Sequence, residues 1–322
     1  MTSAPTVSLM MPAWRPNVPW LRDAVASALG QEGCDLELIV VDDGNDQPIA
    51  DLLADVRDPR LRHVRVDHGG LSRARTAGQT AARGAYLRYI DADDLLEPGS
   101  TRRLLDLLDG RAVRDVVGAT TYCDERMRPL WTMVSRHQGA LAEATLLGRV
   151  NIRPHALLFP RAVVERTGDW DDELIVSQDW DFILRAFEHA RVVGERRTAT
   201  LYRRHDNALT ARIEAGMRDA RRIVERFFER HPERRGTQLE RRAHAMLDAK
   251  AARVYASRGR WRDAARPMVR SALCDPRALL RESSLGVPAA RAVAGRRLRL
   301  SAPTRPSAPS RASTARTVRA RM

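Results

Sequence analysis

The sequence predicts an α/β fold: an open, mainly parallel, Rossmann-like sheet flanked by helices over roughly the first 125 residues. Three observations carry this prediction. Short apolar runs rich in β-branched residues stop abruptly at polar turns, as "LELIVV" does at Asp42, Asp43 and Gly44, which marks strands buried on both faces. Segments with apolar residues at helical spacing alternate with those runs. The first strand, helix and strand fit within about 35 residues, the length of a βαβ unit, whose crossover makes its strands parallel.

The elements follow in order. Val7 to Met11 is the first strand; Trp20, Leu21, Ala24, Val25, Ala28 and Leu29 then repeat at helical spacing before Gly30. "LELIVV" (36–41), "HVRV" (63–66) and "YLRYI" (86–90) are further strands, with "LSRARTAGQTAAR" the helix between the last two. After Pro98 a helix runs through Leu104, Leu105, Leu107 and Leu108 with Ser100 as its expected N-cap. "DVVGATTYC" (115–123) is a fifth strand. From 126 to about 210 the pattern is irregular, apart from a helix starting near Asp179, where Trp180, Ile183, Leu184 and Phe187 share one face.

Residues 211–298 read as a helical extension, and "AKAARVYASRGRWRDAARPMVRSALCDP" is similar to one helical hairpin of the tetratricopeptide type. A single hairpin cannot bury its own face, so it is expected to pack on the preceding domain. The tail, 299–322, is Ser, Pro, Ala and Arg and is expected to be disordered.

The formal charge of +14 raises the question of nucleic acid, but its placement answers it. Residues 251–322 hold 17 Arg against Asp263, Asp275 and Glu282, so the first 250 residues are neutral. Lys250 is the only lysine among 55 basic residues, a preference that fits the codon bias of a GC-rich genome better than selection for guanidinium chemistry. Cys34, Cys123 and Cys274 are far apart and lack metal-ligand spacing, and read as thiols in a reducing compartment. No signal-peptide pattern and no run of about 18 apolar residues occurs, so the expected location is cytoplasmic, with peripheral contact at an anionic inner membrane face left open.

In an open α/β sheet, ligands bind beyond the carboxyl ends of the strands. Both acidic clusters, Asp42 with Asp43 and Asp91 with Asp93 and Asp94, fall at such ends and are expected to face one crevice. Carboxylates this close repel unless a cation neutralises them, and Mg²⁺ or Mn²⁺ with phosphate oxygens is the economical solution. Taken alone, the Asp91 cluster is equally an acidic turn, and Asp42 with Asp43 reads first as an Asp-Asp-Gly-Asn turn; two clusters at strand ends of one parallel sheet favour a shared site. There is no GxGxxG or GxxxxGK[ST] after the first strand, which argues against a dinucleotide fold and a P-loop.

Five stretches in order, "VSLMMPAWRPN", "LELIVVDDGNDQ", "GLSRARTAGQTAARGAYLRYIDADDLLEPGS", "SQDWDFILRA" and "YRRHDNALT", closely resemble the glycosyltransferase family 2 pattern over about residues 7–210. The resemblance implies a GT-A nucleotide-sugar transferase, with a donor half to about residue 125 and an acceptor half over 126–210. It implies that Asp43 accepts from the nucleotide base, that backbone at Pro12, Ala13 and Trp14 flanks the base, and that Arg75 lines the same pocket. Asp91 and Asp93 form its Asp-x-Asp motif; the implied metal contacts are Asp93, Asp94 and His205. Asp179 matches the general base of the inverting members, although it also stands where a helix N-cap belongs. The implied partners are a nucleotide sugar, with UDP the expected nucleotide, and a glycan or lipid-linked acceptor. The sequence departs from the pattern at Asn45, Thr76 and Gln178. A noncatalytic binding protein, whose basic tail contacts nucleic acid or anionic lipid, is the competing reading.

Overall fold

The computed structural model describes residues 5–108, 114–134, 137–205 and 213–279. The disordered tail expected at 299–322, the end of the helical extension and part of "YRRHDNALT" lie outside these residues.

In chain order the strands are β1 (Val7–Ala13), β2 (Leu36–Asp43), β3 (Leu61–Val66), β4 (Tyr86–Tyr89), β5 (Leu95–Leu96), β6 (Arg114–Cys123), β7 (Pro129–Met133), β8 (Gln138–Gly139), β9 (Leu157–Pro160) and β10 (Arg191–Arg203). The helices are α1 (Val18–Leu29), α2 (Ile49–Leu52), α3 (Leu71–Ala81), α4 (Ser100–Asp106), α5 (Ala142–Leu146), α6 (Arg161–Thr167), α7 (Gln178–His189), α8 (Ile213–Arg230), α9 (Gln238–Ser257) and α10 (Trp261–Cys274). The sheet order is β3-β2-β1-β4-β9-β6-β10-β5. Its first four strands are parallel, as expected. Antiparallel β9 then joins β4 to β6, and β10 lies parallel to β6, so the second half is mixed.

Alternation along β1 and β2 divides the core. Leu9, Met11, Leu38 and Val40 pack against Leu21, Val25 and Leu104, the α1 and α4 side. Met10, Ile39 and Val41 face the opposite way, toward Phe159, Trp170 and Phe182. A period of two therefore buries both sheet faces. Asn17 caps α1 by accepting from Trp20 N at 3.2 Å.

Two expected caps are corrected. Gly99 (φ 65°), not Ser100, precedes α4. Ser100 lies in the first turn, fully buried, where its hydroxyl accepts from the Arg88 guanidinium at 3.0 Å and donates to Gln31 Oε1 at 3.2 Å. The need to satisfy a buried arginine outweighs capping there. Likewise Ser177, not Asp179, takes the cap position of α7, and Asp179 is the second residue of the helix, within its first turn.

α9, a turn at Gly259 and α10 form the expected hairpin. It reaches the sheet domain through α8 and the first half of α9: Phe227, Phe228, Met246 and Leu247 share a third core with Leu146, Leu147, Leu174 and Leu184. α10 buries only Ala264 and Ser271.

Candidate active site

Both acidic clusters lie beyond carboxyl ends of the parallel strands. At the end of β2 the two acids divide their work. Asp42 accepts from Asn45 N and Nδ2 (2.9 and 2.7 Å), Ile49 N (3.1 Å) and Arg65 (3.1 Å). Burial alone would raise its carboxyl, but these donors outweigh it and hold Asp42 below the ordinary range. Asp43 accepts from Gly69 N at 2.8 Å and Gly70 N at 3.0 Å and pairs with His68 Nδ1 at 2.9 Å, which fastens the start of α3. A carboxylate offers about four lone-pair positions, so room remains for one more donor.

The loop after β1 is tied to the same turn. Asn45 donates to Ala13 O at 2.9 Å and accepts from Arg15 N at 2.5 Å. Pro12 and Ala13 end the buried strand, whereas Trp14 is half-exposed and stacks on His68 with centroids 4.6 Å apart. Trp14 and Asp43 are thereby joined through one histidine.

Arg75, in α3, is buried; it donates to Asp91 Oδ1 at 2.8 Å and lies over the Trp170 ring at 4.5 Å. Thr76 accepts from Trp170 N at 3.1 Å, so the departure from the family pattern pins the loop that supplies this ring.

The three carboxylates after β4 point to different neighbours. Asp93 Oδ2 is 2.9 Å from His205 Nε2, bringing the strand-end acid to a histidine 112 residues away. Asp94 is fully buried: Oδ1 accepts from Arg203 N at 2.8 Å, and Oδ2 lies 3.3 Å from His155 Nδ1 without a formed hydrogen bond. Asp91 Oδ2 is 3.9 Å from the same His155 nitrogen. Thus the structure joins Asp93 to His205, but sets Asp94 with Asp91 and His155.

The electrostatics differ accordingly. Burial opposes the charged form of Asp91, yet adjacent Arg75 and His155 outweigh it and hold that carboxyl below its usual range. Burial and the Asp91 charge push Asp93 up. Burial, with the charges of Asp93 and Asp91, pushes Asp94 well above a normal carboxyl, and burial lowers His155. Negative charge without enough donors, including a buried Asp94 oxygen with no hydrogen-bond partner, fits a cation. His155 was not singled out from sequence; a lone histidine in "NIRPHALLF" carries no local signal, and only the fold brings it to the acids.

Asp179, at the start of α7, receives Arg153 Nη1 at 3.1 Å. Gln178, where the family usually has Glu, donates to Ile175 O at 3.1 Å and so braces the loop before α7. Tyr202 spans the gap between the two halves, its ring 5.5 Å from His155 and 5.9 Å from Arg153. The strand-end carboxylates and Asp179 are thus linked through His155, Tyr202 and Arg153 into one continuous cluster.

Residues 8–166 match the family model for glycosyl transferase family 2. The chain carries a glycosyl transferase family 2 domain. Among its relatives is the uncharacterized glycosyltransferase EpsJ of Bacillus subtilis, 29% identical over 64% of this chain and 63% of that protein. The succinoglycan biosynthesis protein ExoO of Rhizobium meliloti is 38% identical over 29% of this chain and 27% of its own length. The chain thus spans less than two thirds of either curated relative. S. aureus TarS 1–349, solved in complex with UDP-GlcNAc, superposes with a TM-score of 0.57 at 13% identity, covering 83% of this chain and 91% of that one. The glycosyltransferase fold is shared with TarS. No helix among the described residues is long and apolar enough to cross a membrane.

Proposed function

We propose that the chain is an inverting, divalent-metal-dependent glycosyltransferase, moving a sugar from a nucleoside-diphosphate sugar to a hydroxyl of a glycan or lipid-linked acceptor in polysaccharide assembly. The observation that carries this reading is the contact between Asp93 and His205, 2.9 Å apart across 112 residues, within the cluster that also holds Asp91, Arg153 and Asp179. UDP is the proposed nucleotide; the complex of TarS with UDP-GlcNAc supports it. The catalytic unit is proposed to be residues 1–210, with 211–298 as its helical extension.

In this reading Trp14, with backbone at Pro12 and Ala13, flanks the base, Asp43 accepts its N–H at the remaining position, and Arg75 positions Asp91 at the edge of the diphosphate. Asp93 and Asp94, with His205, would hold Mg²⁺ or Mn²⁺, with Asp91 and His155 beside Asp94. Bound there, such a cation would neutralise charge on the leaving diphosphate. Asp179 takes the proton from the acceptor hydroxyl as that oxygen attacks the anomeric carbon opposite the leaving group, which inverts its configuration.

A panel of nucleotide sugars with Mn²⁺ should yield one that raises the melting temperature, because a ligand of the folded state stabilises it by mass action. With that donor, nucleoside diphosphate release should need the metal and stop with EDTA. Asp179→Asn should lower kcat by about 10²–10⁴ while folding is retained. Normal turnover by Asp179→Asn would remove the base assignment.

A further inference from the structure

Arg153 does not face Asp179 alone. It also lines a cavity of about 210 Å³ with Thr120, Val134, His137, Arg149 and Asn151, and no Asp or Glu is among the lining residues that the structure describes. The larger cavity beside α3, about 530 Å³, has the opposite character: Asp67, Asp169 and Asp172 line it against Arg73. Two arginines and a histidine thus converge on a space next to the proposed base.

We propose that this cavity receives an anionic group of the acceptor, a phosphate or a carboxylate, and that this group draws Arg153 away from Asp179 so that the base is released only when the acceptor is in place. The inference rests on the function proposed above and names its acceptor class. A whole glycan needs a larger cleft; about 210 Å³ suits one charged group and its immediate carbons.

The exchange is favoured by geometry. Arg153 makes a single 3.1 Å contact to Asp179, and its Nε stands 3.5 Å from the Tyr122 hydroxyl, the outer limit of a hydrogen bond. A guanidinium binds an oxyanion best through two parallel N–H donors. An acceptor oxyanion therefore offers Arg153 a better partner than it has, and Arg149 lies on the same cavity wall to share the charge. Once Arg153 turns to the oxyanion, Asp179 Oδ2 has lost that N–H and is free to accept the hydrogen of the acceptor hydroxyl.

Calorimetric titration of the full chain at low salt tests this with three probes: methyl glucuronide, glycerol phosphate and neutral methyl glucoside. At least one anionic probe should bind tenfold or more tightly than the glucoside, and which one binds names the source of the charge. Arg149→Gln should weaken that binding at least tenfold, with Arg149→Lys intermediate; Arg126→Gln, on the exposed turn after β6, should leave it unchanged. Equal binding of the neutral probe, or anion binding indifferent to Arg149→Gln and Arg149→Lys in folded protein, overturns the proposal. UDP-GlcNAc titrated into the same samples reports separately on the donor site, so a failed transferase reading and a failed acceptor inference give different results. In transfer assays Arg153→Gln should bring the preference for anionic over neutral acceptors from tenfold or more toward one; an unchanged preference would remove the release step.

Discussion

Asp43 and Gly44 show how two adjacent residues set a binding edge. Gly44 sits at φ 70°, and an added Cβ would lie 2.5 Å from His68 N. Gly44→Ala therefore meets both a left-handed backbone and a backbone clash, and should cost about 2–4 kcal/mol. Because the displaced segment carries His68 and the two N–H groups that hold Asp43, nucleotide affinity should fall with stability. Thermal unfolding and a nucleotide titration check this; an unaltered melting temperature would mean that the 68–70 turn yields freely. Each departure from the family pattern has a job at this scale: Asn45 ties the loop after β1, Thr76 holds Trp170 and Gln178 braces the loop before α7. The identity of a single site residue is thus a choice about which neighbouring segment it holds.

At the scale of elements, the end of the sheet away from the site is clamped by Glu37, a buried residue of β2. Its carboxylate accepts from Ser8 of β1, Arg62 of β3 and both backbone and side chain of Arg83 beyond α3. Burial alone would raise this carboxyl, but the donors outweigh it and hold it below the ordinary range. A depressed folded value means that the stabilisation is complete above the unfolded carboxyl's value near 4.5 and is lost as pH falls through the folded one. Glu37→Gln should cost roughly 2–3 kcal/mol at pH 7 and flatten the acid limb of the stability profile. Urea unfolding at pH 7 and pH 3.5 measures both, and an equal loss at the two values would contradict the linkage. The parallel strands and their acids were legible in sequence because β-branched runs that stop at Asp leave a local trace. β9 and the contact of Asp94 with His155 left none: "LLFP" is too short to declare an antiparallel strand, and the histidine's partners lie more than 60 residues away. Ser100 and Asp179 looked like caps because both are residues that caps favour, yet tertiary hydrogen bonds assigned them other work.

For the whole molecule, the third core makes the sheet domain and the first two extension helices depend on each other. Leu146, Leu147, Leu174 and Leu184 are covered by α8 and α9, and full burial of each such side chain contributes about 1.5–3 kcal/mol. A chain ending at residue 212 should therefore aggregate or melt at least 10 °C lower than the full chain, about 2.5 kcal/mol or more. Size-exclusion chromatography with a circular dichroism melt decides; a monomeric, equally stable fragment would establish residues 1–210 as an independent unit. At the centre lies Arg88, fully buried, its guanidinium donating to Ser100, Thr101 and Thr200 hydroxyls and to the carbonyls of Ala199 and His155. Burial lowers it to about 9, and no carboxylate bonds it among the described residues. Such a hub resists piecemeal change. Losing the arginine takes a donor from five acceptors at once, and losing a hydroxyl takes an acceptor from a buried charge, so the members of the group depend on one another. The layer directly beneath the acidic cluster is accordingly a point of strong epistasis, where substitutions harmless in another background become damaging in this one.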